Sequence, residues 1–465
     1  MFLKILPPVV AAIAFGLTWL SDDRATAPVA PPETNYKTYC SSCHGEQVEM
    51  FADRKWKFGN TKPELVASVA KGHPELGMPA WEASLKPDEI DALADYILQG
   101  IEKRKQYDFS VPKSPTFTAA SGLTLRLDTV ARGLSVPWGV AFLPAGDLLV
   151  TDRSGKLYRV GATGTQTAIS GVPEVLAEGQ GGLLDVEVHP KFAQNGFVYL
   201  AYSAFKTTDA GKLSTTAVLR AKLDGNALTD QKVLFEAQPW AKTRHHYGSR
   251  LAFDRAGYLY FTVGDRGSEK TNPQSLDSDA GKVHRIHDDG RVPADNPFAK
   301  SAHPTIYSYG HRNPQGMTFH PTTGELWENE HGPRGGDELN VVRKAKNYGW
   351  PVISYGINYD GKPITNLTAK EGMEQPVSYW VPSIGPSGLA FVQSDRYGDW
   401  KGNALVGSLR FKYLNRCELR NGKVVKEETI FPNIGRVRNV DMGPDGYAYV
   451  TVEDPGYVFR LVPTQ

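Results

Sequence analysis

From Phe117 to the C-terminus one pattern recurs: a short apolar segment, a turn carrying Gly or Pro, and a second apolar segment that ends near charged residues or glycine. The pairs run from Val140-Ala141-Phe142 to Leu148-Leu149-Val150-Thr151-Asp152, and from Val186-Glu187-Val188 to Val198-Tyr199-Leu200. They continue from Leu251-Ala252-Phe253 to Leu259-Tyr260-Phe261-Thr262, and from Met317-Thr318-Phe319 to Leu326-Trp327-Glu328. Leu389-Ala390-Phe391 with Ala404-Leu405-Val406, and Val440-Asp441-Met442 with Tyr447-Ala448-Tyr449-Val450, complete the set. Short segments of this kind, bounded by turn residues, read as strands. Six strand–turn–strand units at blade-sized intervals predict a six-bladed β-propeller, whose radial repetition leaves only short edges. A β-sandwich also has many strands but would not repeat one unit at such spacing.

The N-terminal quarter follows a helical period instead. Pro87 suits a first turn, Asp88 and Glu89 suit the positive end of a helix dipole, and Ile90, Leu93, Ala94 and Ile97 share one face. Gly100 is placed to stop this helix. Residues 28–34 are proline-punctuated and read as an extended tether. Lys103-Arg104-Lys105 and Ser110-Val111-Pro112-Lys113-Ser114-Pro115 mark a domain boundary. Ahead of all this, Lys4, an apolar run over residues 5–20 and Asp22-Asp23-Arg24 have the layout of an export signal. That run is short for a membrane span, which needs about 20 residues. Ala25-Thr26-Ala27 offers a cleavage site, and an uncleaved anchor through residues 5–20 is the alternative. The organisation expected is a signal or anchor over 1–27, a small all-α domain over 28–108 and the propeller over 109–465.

Composition narrows the function. A formal net charge of +1 in 465 residues gives no global basic field to attract nucleic acid. There are three cysteines. Cys40-Ser41-Ser42-Cys43-His44 has the spacing at which two thiols attach haem c and the following histidine binds iron. A zinc site would need a second ligand pair, and Cys417 lies too far down the chain to supply one. Cys417 is then a buried free thiol. Gly77-Met78-Pro79 presents a methionine in a tight turn, a fitting sixth ligand opposite His44. The all-α domain is accordingly a cytochrome c domain that carries single electrons outside the cytoplasm.

Propellers bind ligands at the mouth of the central channel, through loops between blades. Arg244-His245-His246-Tyr247-Gly248 places two histidines before the third unit, where adjacent side chains on an extended chain point apart and chelate poorly. One of them, next to Asp265, would make an oriented general base; the alternative is surface polarity. Arg312-Asn313 offers a planar fork for a quinone or carboxylate, or a salt-bridged turn. The free carbonyls of Gly332 and Pro333 suit a hard cation such as Ca²⁺. Arg436 and Arg438 stand on one face of a strand, for an anionic ligand or for solubility.

Several ordered segments carry a resemblance. Gly179-Gln180-Gly181-Gly182-Leu183-Leu184 with His189-Pro190, His246 ahead of Ser249-Arg250-Leu251, and Gly264-Asp265-Arg266-Gly267 are followed by Gly281-Lys282-Val283 and Asp295-Asn296-Pro297-Phe298. Then come Gly310-His311-Arg312-Asn313-Pro314-Gln315-Gly316, Asn347-Tyr348-Gly349-Trp350-Pro351 and Arg436-Val437-Arg438. From about Leu123 onward the chain resembles the PQQ-dependent soluble aldose sugar dehydrogenases, the glucose/sorbosone dehydrogenase family. The resemblance implies a six-bladed propeller that oxidises aldoses at the anomeric carbon to lactones. By position it implies His246 as base, with Gln180 and Asp265 placing substrate and base. Arg312 and Asn313 would contact the quinone, Arg436 and Arg438 its carboxylates, and Gly332 and Pro333 a bridging Ca²⁺. Arg410 stands where a lysine contact to the quinone is usual, and His331 where some members have glutamine. The fused haem would pass electrons singly from PQQH₂ to a periplasmic or membrane acceptor. Two other readings are a calcium-dependent lactonase, which has no use for a haem, and a non-catalytic extracellular binding propeller, which has no use for a base.

Overall fold

The computed structural model describes residues 30–44, 48, 58–74, 78–103, 114–209, 211–268, 271–359, 362–453 and 455–464. The expected signal or anchor and the boundary at 108/109 lie outside these residues. Among them, no helix is long and apolar enough to cross a membrane.

The alternating segments form six antiparallel sheets; in five of them consecutive strands pair as a simple meander, and the sixth joins the last three strands to the first two. The innermost strands are Pro137–Phe142, Leu183–Val188, Leu251–Phe253, Pro314–Phe319, Pro386–Phe391 and Val437–Met442. Each touches the next around the ring, and the last touches the first. The ring is closed by strand pairing: Thr124–Ala131 adds to the final blade beside Tyr457–Thr464, with Leu127 opposite Leu461. This joins the start of the propeller to its end and leaves no gap in the circle. The apolar residues predicted on the strands pack between blades. Leu149, Val186, Val198 and Leu200 share one cluster, and Leu405, Leu414, Val440 and Val450 share another. Cys417 is fully buried, and burial pushes its thiol well up, as an inert core residue requires.

Five of the six innermost strands carry a register shift near the channel mouth. A bulge inserts an extra residue and re-aims side chains. Trp138, Leu184, Gln315 and Arg438 all lie within such shifts, and all four line the same cavity. The bulges are how a regular sheet comes to point side chains at a ligand.

The N-terminal domain is helical, with Lys62–Lys71 and Pro87–Lys103 as its long elements. Thr61 and Glu64 form a capping box at the start of the first. Ile90, Leu93, Ala94 and Ile97 are buried in its core with Tyr36, Leu65 and Trp81. Two expectations need correction. Gly100 does not stop the second helix, which continues to Lys103. It lies inside because a Cβ there would sit 2.9 Å from Val48, so the glycine serves close packing. Nor is 28–34 extended throughout: a helical turn begins at Pro32, where the missing N–H costs nothing, and helical backbone leads on to His44.

Candidate active site

One cavity at the channel mouth gathers most of the expected residues. Gln180, His246, Arg312, Gly332, Pro333, Arg436 and Arg438 line it from the propeller, and Cys40, His44 and Met78 line it from the helical domain. Asp265, Asn313 and Arg410 stand outside the lining among the described residues. The side chain of Cys43 is not among those described.

His246 has a left-handed backbone, with φ at 55°, so the chain is not extended here and the two neighbouring imidazoles meet edge to face at 4.6 Å. The backbone N–H of His246 donates to Gln180 Oε1 at 2.8 Å, which fixes the turn. His246 Nδ1 lies 2.7 Å from Asp265 Oδ1. An ionised carboxylate only accepts, so Nδ1 carries the proton and Nε2 keeps its lone pair. Burial and then Arg312 hold the His246 imidazole below its usual value, which keeps it neutral at pH 7. Burial alone would raise the Asp265 carboxyl, but His246, Arg312 and the Gly267 amide outweigh it and hold it at about 2. The second oxygen of Asp265 accepts from Trp350 Nε1 at 2.9 Å. The same indole lies under Arg312, with the guanidinium carbon 5.3 Å from the ring centre. Burial and His246 push the His245 imidazole down to about 3, so it carries no charge to compete.

Arg312 is held from behind. Glu330 Oε2 accepts the backbone N–H of Arg312 at 2.5 Å and of Asn313 at 3.1 Å. Asn313 Oδ1 in turn accepts from the Gly248 amide at 3.1 Å, so Asn313 supports the loop of His246 from below. His311 sits between Glu328 and Glu330, at 3.7 and 3.5 Å. Burial alone would depress the His311 imidazolium, but the two carboxylates override it and lift it to about 9. These three residues converge closely enough to ligate a cation, yet the imidazolium already supplies the positive charge there.

The opposite wall is cationic. Arg436 Nε and Arg438 Nε share Glu453, at 2.9 and 2.7 Å. With Arg153 and Arg312, four arginines face the cavity against this one carboxylate. That surplus, with guanidinium N–H groups in planar forks, fits an anionic multi-carboxylate ligand such as PQQ. Arg410 turns elsewhere: Nη1 donates to Ser383 O at 3.0 Å and Nη2 to Ser41 Oγ at 3.3 Å, inside the Cys-x-x-Cys-His motif. His331 Nε2 donates to Pro386 O at 2.7 Å, which leaves its other nitrogen aprotic. Cys40, His44 and Met78 converging on one cavity fit a covalently attached haem.

Sequence reasoning missed Trp350, Glu330 and Glu453. The first lies within a quoted motif, Asn347 to Pro351, but its partner is 85 residues away. Nothing local announced the partners of Glu330 and Glu453, which lie 15 to 18 residues away in sequence.

Comparison with known proteins identifies both parts of the chain. The family model described as Glucose / Sorbosone dehydrogenase matches residues 134–460, and that described as Cytochrome C oxidase, cbb3-type, subunit III matches residues 27–97. The chain is 42% identical over 353 residues to aldose sugar dehydrogenase YliI of Escherichia coli K12, an alignment that covers 74% of this chain and 94% of that one. It superposes on the crystal structure of the soluble aldose sugar dehydrogenase of E. coli in the apo form with a TM-score of 0.69 and 40% identity, covering 73% of this chain and all of that one. The PQQ-bound aldose sugar dehydrogenase of Streptomyces coelicolor gives 0.61 and 28%, covering 74% of this chain and all of that one. With an imidazole held by a carboxylate, an arginine-rich wall and a haem-attachment motif gathered about one cavity, the chain belongs to the glucose/sorbosone dehydrogenase family of PQQ-dependent sugar dehydrogenases and carries a cytochrome c domain at its N-terminal side.

Proposed function

We propose that this protein oxidises aldoses at the anomeric carbon to lactones and delivers the electrons to its own haem c, and from there to an acceptor outside the cytoplasm. The observation that carries this reading is the shared cavity, with His246 on one side and Cys40, His44 and Met78 on the other.

His246 Nε2 takes the proton of the anomeric hydroxyl. The C1–O1 bond becomes a carbonyl as the C1–H bond breaks and its electron pair departs as hydride. Asp265 keeps the imidazole in the tautomer that can accept, and stabilises the imidazolium once it forms. Gln180, bonded to the His246 amide, orders the loop and faces the substrate. PQQ would be held by Arg436, Arg438 and Arg312 and would supply the hydride acceptor. Asn313 ties the Arg312 loop to the His246 loop through the Gly248 amide. His331 lines the cavity, while Arg410, outside that lining, donates to Ser383 and Ser41.

Ca²⁺ would be held by the carbonyls of Gly332 and Pro333 and would act as a Lewis acid beside Arg312. Ca²⁺ takes roughly six to eight oxygens. The carbonyl of Gly332 also accepts from Arg312 Nη1 at 2.8 Å. These two protein carbonyls alone would not complete such a shell, so calcium would bind tightly only together with the quinone. Export through residues 1–27, cleaved or retained as an anchor, places the haem where haem c is attached.

The test is sugar-driven haem reduction in the purified chain loaded with PQQ and Ca²⁺, followed at the haem α-band. His246→Ala should abolish it while the dithionite-reduced spectrum stays unchanged. Retained turnover would remove His246 from the mechanism.

A further inference from the structure

We infer that the fourth and fifth blades carry a docking surface for the chain's own cytochrome domain, built on Arg334, Tyr359 and Arg410, and that it holds the haem-attachment segment at the catalytic cavity during electron transfer. The electron-transfer part rests on the function proposed above; the docking does not.

Among the described residues, contacts from three stretches of the propeller reach the cytochrome domain. Arg410 Nη2 donates to Ser41 Oγ at 3.3 Å, and Ser41 is fully buried between Cys40 and His44. The Arg334 guanidinium carbon lies 5.8 Å from the Tyr39 ring centre, a cation–π contact. Tyr359 packs against the cytochrome core cluster that includes Tyr36, Cys40 and Trp81. The first two contacts fall on Tyr39 and Ser41, on either side of Cys40, so the surface grips the haem-attachment segment itself.

The surface is braced as one piece. The backbone N–H of Arg334 donates to Ile357 O at 3.1 Å and that of Ile357 to Arg334 O at 3.2 Å, which ties the Arg334 loop to the segment bearing Tyr359. The buried Asp337 carboxyl group accepts from the Gly332 and Gly385 amides, each at 2.8 Å, and from Ser383 Oγ. Ser383 O in turn accepts from Arg410 Nη1 at 3.0 Å. Arg334, Tyr359 and Arg410 are thereby fixed relative to one another and to Gly332 and Pro333 in the cavity wall. Linked domains move relative to each other unless an interface holds them. Here Lys103 and Ser114 bound the join in sequence, and a join this short gives an effective concentration on the order of millimolar, at which a few modest contacts keep the domain docked. Docking keeps Cys40, His44 and Met78 at the cavity that holds His246, and electron transfer falls steeply as that separation grows.

Two measurements on the haem-loaded full chain compare the wild type with Ser41→Ala/Arg334→Ala/Tyr359→Ala and with Arg334→Ala/Tyr359→Ala, which leaves the cytochrome sequence intact should the first variant lose its haem. Small-angle X-ray scattering without PQQ or sugar reads the docking: the radius of gyration should rise in the variants. With PQQ and Ca²⁺, haem reduction by glucose should slow by on the order of tenfold or more, the scale on which lost positioning acts. Glucose oxidation with a soluble dye and the dithionite-reduced haem spectrum should stay as in the wild type. Scattering curves that superimpose overturn the docking surface. Expansion with unchanged haem reduction overturns its role in electron transfer. If no aldose reduces the dye, the sugar-oxidising reading falls and the scattering result alone decides the docking.

Discussion

At the scale of single residues the site depends on which group holds which proton. His246 is useful because burial and Arg312 keep it neutral, while Asp265 keeps it correctly protonated on Nδ1. Asp265→Asn removes a carboxylate that raises the His246 value, so burial and Arg312 then act with less opposition. The acid limb of kcat/KM should move to lower pH, and kcat should fall by about 10⁴-fold, as when a base loses its orienting carboxylate elsewhere. Trp350→Phe makes the opposite change. Its indole N–H favours the charged form of Asp265, and removing it concentrates charge on the carboxylate beside His246. The acid limb should shift upward and kcat should drop by about tenfold, the scale of one hydrogen bond to a charged group. A residue that merely fills space would lower kcat without moving the limb. Cys40 and His44 were picked out by a local spacing, and His246 and Asp265 by the polar segments in which they stand. Trp350 was not, because an indole in a Gly-Trp-Pro turn says nothing of a carboxylate on a distant blade.

At the scale of elements, alternation made the six inner strand pairs readable, and the structure pairs each of them as expected. The bulges that aim Trp138, Leu184, Gln315 and Arg438 into the cavity were not readable, since a register shift depends on the partner strand. The helix end at Gly100 was misread for a similar reason: its neighbour Val48 decides, and no local rule reports it. The loop at His311 has its own consequence. Its imidazolium is lifted to about 9 between Glu328 and Glu330, above the ordinary 6.5. A raised value in the folded state gives stability that is complete below about pH 6.5 and is lost as pH rises through 9. Thermal unfolding should therefore show a fall in midpoint between pH 6.5 and 9.5 that is absent in His311→Gln. Superimposable pH profiles for the two proteins would show that His311 is neutral in the fold.

At the scale of the whole molecule, two arrangements came from long-range pairing alone. Ring closure brings Thr124 opposite Thr464, and the cytochrome domain contributes Cys40, His44 and Met78 to a cavity otherwise built by the propeller. The sequence made both parts recognisable without saying that they face each other. On the proposed function, that placement makes electron delivery an internal event. The most direct measurement is the rate of haem reduction by glucose, in stopped flow, over a hundredfold range of protein concentration with PQQ and Ca²⁺ saturating. The arrangement predicts a first-order rate constant that does not change with protein concentration. A rate constant that rises in proportion to concentration would mean that electrons pass between molecules, and would contradict a haem fed from the cavity it shares with His246.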